Sequence, residues 1–311
     1  MITNFNASKD PSNSNFDYDF RKYIGVASVN ILAINPDNAK LREYGWNIPE
    51  DADEPAYTFA VERNGKQVKT SRVRFLVKVT DLEEQPVIPL DFWCSQEVQI
   101  NNEGSKCKII DSYGRTAWGT KEEVTKNKIP QYTGGAANIA TPYKMCHRGE
   151  EELVTFLFKY LNITPLQVYD RLKGGWVNTK NPGQLTIDNW SAIVNGDIKE
   201  IAEYVALQPD NKVKVIFGVK NTDDNRSYQA FLNTGYLGNG SIPDKNTGEY
   251  TSARKLIDRY FAGRTDSPYV FDACPVKEWQ VTATAVSENT GDMFDEPTST
   301  SEEVDDLPFF E

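Results

Sequence analysis

Residues 71–79 read SRVRFLVKV. Successive side chains of a strand alternate across a sheet, so Val73, Phe75, Val77 and Val79 share one face and Arg72, Arg74, Leu76 and Lys78 the other. One face belongs to a core and the other carries cations. The same division recurs in 211–220, NKVKVIFGVK, where Val213, Val215, Phe217 and Val219 oppose Lys212, Lys214, Ile216, Gly218 and Lys220. Two strands patterned in this way predict a β-rich fold with a basic surface.

Strand patterning extends to both sides of these segments. Residues 23–35 (YIGVASVNILAIN) form one run, 56–82 read as two strands around an Asn64-Gly65 turn, and 86–94 and 106–119 follow. Between about 120 and 210 the period becomes helical. RGEEELVTFLFKYLNI (148–163) puts Leu153, Phe156, Leu157, Tyr160 and Leu161 on one face, with Glu150, Glu151 and Glu152 in the first turn. TPLQVYDRLKGG (164–175) reads as a short helix, Thr164 at its N-cap, Pro165 at N1 and glycines at its end. DNWSAIVNGDIKEIAEYVAL (188–207) reads as a short helix and a longer one. Strand character returns at 211–221 and 226–238, followed by a helix over 250–263 and a last strand over 278–286. The economical layout is an α+β chain whose OB-like curved β-barrel domain, residues 21–286, is interrupted by a helical insertion at about 120–210. A polar flexible segment, 1–20, precedes it, and an acidic disordered tail, 287–311, follows.

The 311 residues are 39% hydrophobic, enough to build a core. The first twenty lack a basic start and an apolar run, so a cytoplasmic location is expected, in an infected bacterial host if the chain is phage-encoded. Four widely spaced cysteines fit reduced, mostly buried thiols; a zinc site from Cys94, Cys107, Cys146 and His147 lacks the C-x2-C pair such sites use. The net charge of −11 is unevenly placed. Glu288, Asp292, Asp295, Glu296, Glu302, Glu303, Asp305, Asp306 and Glu311 crowd the tail with no Lys or Arg; setting these nine aside leaves 36 acidic against 34 basic residues.

Catalysis finds little support. The single histidine, His147, removes most serine and cysteine hydrolase schemes. GRTAWGTK (114–121) has glycines like a phosphate-cradling loop but the wrong Lys-Thr order and a β-turn setting. Asp81, Glu83, Glu84 and Asp223, Asp224 read as solvated turn carboxylates. No catalytic residue, metal or cofactor is expected.

Binding is better supplied. The cations Lys66, Lys69, Arg72, Arg74, Lys78, Arg115, Lys212, Lys214 and Lys220 accompany Trp93, Tyr113, Trp118, Tyr228 and Tyr236. Backbone-tracking cations with aromatic faces for bases are what single-stranded nucleic acid needs. The alternative is plain barrel surface, which would leave a protein-interaction or virion-associated module.

The tail adds a resemblance. Asp305, Asp306, Leu307, Pro308 and Phe309, followed by Phe310 and Glu311, resemble the acidic tip of single-stranded DNA-binding proteins, which engages replication and repair partners. YKMCHRGEEELVTFLFKYLNI (143–163) is similar to a segment of the phage-type members, in which a helical insertion interrupts an OB-fold. The resemblance implies an OB-type barrel without catalytic residues that coats single-stranded DNA in phage replication, recombination or repair. It also implies partner recruitment through Asp305–Phe310.

Overall fold

The computed structural model describes residues 21–63, 65–126, 143–170, 172–221, 227–232, 253–274, 276 and 280–281. In chain order they form β1 (Arg21–Lys22), β2 (Gly25–Ile34), α1 (Asn38–Glu43), β3 (Thr58–Arg63), β4 (Lys66–Val79), β5 (Val87–Ser95), β6 (Cys107–Asp111) and β7 (Thr116–Gly119). The helical region holds α2 (Lys121–Thr125), β8 (Tyr143–Met145), α3 (Glu150–Tyr160), β9 (Gln167–Asp170), β10 (Gly175–Asn178), α4 (Trp190–Val194) and α5 (Lys199–Ala206). After it come β11 (Val213–Asn221), β12 (Ser227–Leu232), α6 (Ala253–Tyr260), β13 (Tyr269–Phe271) and β14 (Gln280–Val281).

The 14-residue β4 organises the main sheet. Its first half pairs with β3, Arg63 opposite Lys66 and Thr58 opposite Ser71, and its second half with β2, Ile34 opposite Phe75 and Val29 opposite Val79. Thr70 faces both Phe59 and Ser95, and Lys78 faces both Asn30 and Val87. It follows that β2 and β3 share one edge of β4 and β5 occupies the other. β11 then joins β2, and β12 and β13 join β11. Strands from before and after the helical region therefore complete one seven-stranded antiparallel sheet.

Alternation decides what this sheet buries. Val73, Phe75, Val77, Val79, Val213, Val215, Phe217 and Val219 are all buried on its inner face. Against them pack Leu153, Phe156, Leu157 and Tyr160 of α3, Trp190, Ile193 and Val194 of α4, and Ile201 and Val205 of α5. Each such side chain contributes about 1.5–3 kcal/mol. The Phe156 ring meets Phe75 at 5.2 Å and Phe92 at 5.0 Å, while Phe92 also meets Phe231 of β12 at 5.2 Å. The sheet thus curls until β5 and β12 touch through their side chains across the core. Among the described residues no backbone pairing joins them. The fold is mixed α and β, with mostly antiparallel sheets and no closed barrel among the described residues, where the sequence suggested an OB-like curved barrel.

The helical region differs from expectation in two places, one being β8, which pairs with β6. Residues 164–175 do not form a helix; Gln167–Asp170 pair with Gly175–Asn178 as a hairpin. Asp170 Oδ1 accepts from the backbone N–H groups of Leu172 (2.9 Å) and Lys173 (3.2 Å), and Gly174 takes φ +64°. A side-chain-closed turn with a left-handed glycine ends in the same residues as a capped helix does, and the pairing strand lies just downstream. The α1 helix went unread, although Asp37 caps it, accepting from Lys40 N–H at 2.7 Å.

Residues 1–20, Asp223, Asp224, Tyr236 and the tail with Asp305, Asp306, Leu307, Pro308, Phe309 and Phe310 lie outside the described residues. Among the described residues no helix is long and apolar enough to cross a membrane.

Candidate functional site

Cross-strand partners share a face of their sheet. Lys78 stands opposite Asn30 and Lys214 opposite Ser28, and Ser28 and Asn30 are two residues apart on β2. The cationic sides of β4 and β11 therefore belong to one outer face. Val79 and Val213 both oppose Val29, and β4 and β11 run in the same direction on either side of β2. Their cations consequently form a diagonal from Arg72 through Lys78 and Lys214 to Lys220.

Two small apolar caps interrupt it. Leu76 is buried beneath Leu41 of α1, Trp46 and Ile48. Ile216 is buried beneath Leu256 and Ile257 of α6, with Phe271 packed alongside. The Phe271 ring and the Val270 carbonyl occupy the space that a Cβ on Gly218 would need, so this close approach requires glycine. Three openings remain, around Arg72, around Lys78 and Lys214, and around Lys220.

Arg74, expected as a phosphate ligand, lies two residues from the capped Leu76 at 1% exposure. Its Nε and Nη2 donate to Asp91 Oδ1 (2.7 Å) and Oδ2 (2.6 Å). Burial alone would lift the Asp91 carboxyl, but the Arg74 guanidinium outweighs it and holds the carboxyl below its usual range. Neutralised and sealed, Arg74 serves the fold, and its assignment to phosphate is corrected.

Arg72, two residues earlier, is half-buried and differently placed. Its Nη2 donates to the Ala56 carbonyl at 2.9 Å, and its guanidinium lies 5.5, 5.6 and 5.8 Å from the rings of Tyr57, Phe59 and Trp93. The Phe59 and Trp93 rings are 5.5 Å apart, and all three aromatics are partly exposed. Burial pushes the Tyr57 phenol up to about 12, so it stays uncharged at neutral pH. Sequence reading found Trp93 and missed Phe59 and Tyr57. The signal was there for Phe59, which shares the face of β3 with Val61 and Arg63. Behind the cluster, left-handed Gly149 (φ +81°) lets the start of α3 abut the Trp93 carbonyl, a place with no room for a Cβ.

The remaining cations and aromatics divide. Lys212 and Lys214 are exposed; Lys220 lies 5.8 Å from the Tyr269 ring and stands opposite both Tyr228 and Tyr269. Lys66 is exposed at the β3–β4 hairpin. Lys69 alternates to the other face, where its Nζ donates to Asn195 Oδ1 at 2.9 Å, so it does not join the outer set. Trp118 belongs to a separate β7-β6-β8 sheet, and Tyr113 and Arg115 to the turn that joins β6 to β7. There Arg115 Nη2 lies 2.6 Å from the buried Asp111 carboxylate, and Trp118 packs on Lys108, whose Nζ lies 2.6 Å from Glu151.

Cys94 and Cys146 line the main core and Cys107 a smaller cluster; burial pushes all three thiols up. His147 Nδ1 lies 3.0 Å from Glu150 Oε2, and its ring stacks on Trp190. Among the described residues no three His, Cys, Asp or Glu side chains cluster as metal ligands would. Gly114 turns the β6–β7 hairpin at φ +73°, whereas Gly119 ends β7 and Thr120 caps α2 in a capping box with Glu123. The second half of GRTAWGTK is thus a strand-to-helix junction, contrary to the β-turn reading.

No protein-family model, curated protein or solved structure matches this chain.

Proposed function

We propose that the protein binds single-stranded DNA on the outer face of its main sheet. The observation that carries this reading is the half-exposed Phe59–Arg72–Trp93 cluster at one end of a cationic diagonal. Aromatic faces beside a guanidinium stack bases without regard to sequence, at about 1–3 kcal/mol per base. Lys78, Lys212 and Lys214 would hold the phosphates that follow. Nothing in this role calls for catalysis. The tail residues Asp305, Asp306, Leu307, Pro308, Phe309 and Phe310 would engage replication or recombination proteins in the host cytoplasm, as their resemblance to acidic tips implies.

A second reading, a protein-interaction module, draws on the β9–β10 hairpin. Leu172 at its tip is 100% exposed and Val168 41% exposed. Titration with labelled oligo(dT) at several salt concentrations separates the two. The nucleic-acid reading expects affinity to fall steeply with salt, and Lys78→Ala with Lys214→Ala to flatten the log–log slope by about 1.4, about 0.7 per phosphate contact. Absence of binding in dilute buffer leaves the protein-interaction reading standing.

A further inference from the structure

At the far end of the diagonal lies a second group of rings and cations. Lys220 is flanked by Tyr228 on β12 and Tyr269 on β13, because these two strands pair with opposite edges of β11 at that residue. Tyr269 stacks on Phe271 (centroids 6.2 Å, planes 25° apart), and Tyr260 of α6 lies 6.4 Å from Phe271 with the Arg264 guanidinium 4.7 Å from its own ring. Tyr228, Tyr260, Tyr269 and Lys220 are all partly exposed. Burial pushes the Tyr269 phenol up to about 12, so it presents a neutral ring to an anionic strand.

We propose that Tyr228, Lys220 and Tyr269 form a second stacking station, and that one strand of single-stranded DNA crosses the outer face from Trp93 to Tyr269. This rests on the nucleic-acid reading above. Cross-strand pairing places the two clusters on one face, with Lys78 and Lys214 between them. Along the strand direction they lie about 14 residue steps apart, at least roughly 40 Å at about 3.3 Å per step with allowance for curl, because a strand must also pass around the caps over Leu76 and Ile216. Covering that distance takes about 12 nucleotides at a stacked spacing of about 3.4 Å, and fewer when extended, within the ~4–16 used by single-strand-binding domains. A short oligonucleotide can occupy one station; a long one occupies both.

The test compares dT4 and dT16 on the full chain, following the fluorescence quench that Trp93→Phe abolishes. Tyr269→Ala should weaken dT16 about tenfold, the effect of one lost base stack, and leave dT4 unchanged. Tyr269→Phe, which keeps the ring, should bind dT16 like the parent. Lys220→Ala alters a half-exposed side chain and serves if Tyr269→Ala fails to fold; it too should weaken dT16 alone. Equal losses on both lengths with Lys220→Ala, or no loss on either, would overturn the second station while the Trp93 site stands. Failure of the parent protein to bind any oligonucleotide would overturn the underlying reading as well.

Discussion

Arg72 and Arg74 stand two residues apart on one strand and point to the same side of the sheet, yet their surroundings are opposite. Around Arg74 the chain supplies a carboxylate from β5, next to the lid that Leu41, Trp46 and Ile48 form on Leu76, so the guanidinium is paired and dry. Around Arg72 it supplies three rings and a backbone carbonyl, and the lid stops short. A cation's role on a strand therefore depends on what arrives from distant segments, and the contrast can be tested in two steps.

The largest effect belongs to the sealed site. Asp91→Ala should destabilise the fold by about 3 kcal/mol, because it strands a buried guanidinium, and Arg74→Met with Asp91→Leu should recover much of that loss. Arg72→Ala should cost less than half as much in the same urea titrations. Equal costs would erase the distinction. Next comes the open site. Trp93→Leu should reduce oligo(dT) affinity by about 2 kcal/mol through loss of a stacking face, whereas Asp91→Leu with Arg74→Met should leave it near the parent value. Should the paired-site variant lose as much binding as the Trp93 variant, the rings beside Arg72 are not the station.

The smallest effect concerns a second, partly buried carboxylate. Asp91 is held low by Arg74, but Glu152 on α3 is pushed up to about 7, first by burial and then by neighbouring Glu151. Between its ordinary value of 4.5 and about 7, the folded chain keeps a proton that the unfolded chain releases. Stability from this group is thus lost as pH rises through that window. Glu152→Gln should flatten the decline in urea midpoint between pH 5 and pH 8; an unchanged decline assigns it to other groups.

Much of this architecture could be read from local pattern. Alternation in 71–79 and 211–220 identified the inner-face core residues, but Arg74, Leu76 and Ile216 on the opposite face are buried as well; the spacing of Leu153, Phe156, Leu157 and Tyr160 marked the buried face of α3. Local pattern failed where two structures share the same punctuation. Asp170 and the glycines of 164–175 suit a helix end and a hairpin turn alike, and the choice fell to a strand that pairs across the turn. It also failed for Lys69, whose even spacing from Lys66 and Arg72 is broken by a single residue that turns it toward α4.

By itself the sequence determined side-chain parity, the buried face of α3 and the segregation of acid into the tail, properties set within a few residues or by composition alone. Tertiary structure decided which cations stay open, by setting Asp91 against Arg74, Phe59 against Trp93 and Tyr269 against Lys220. It also decided that the sheet curls without pairing β5 to β12 among the described residues. The reason is that exposure and charge pairing are properties of neighbours in space, and here those neighbours lie 17 to 49 residues away along the chain.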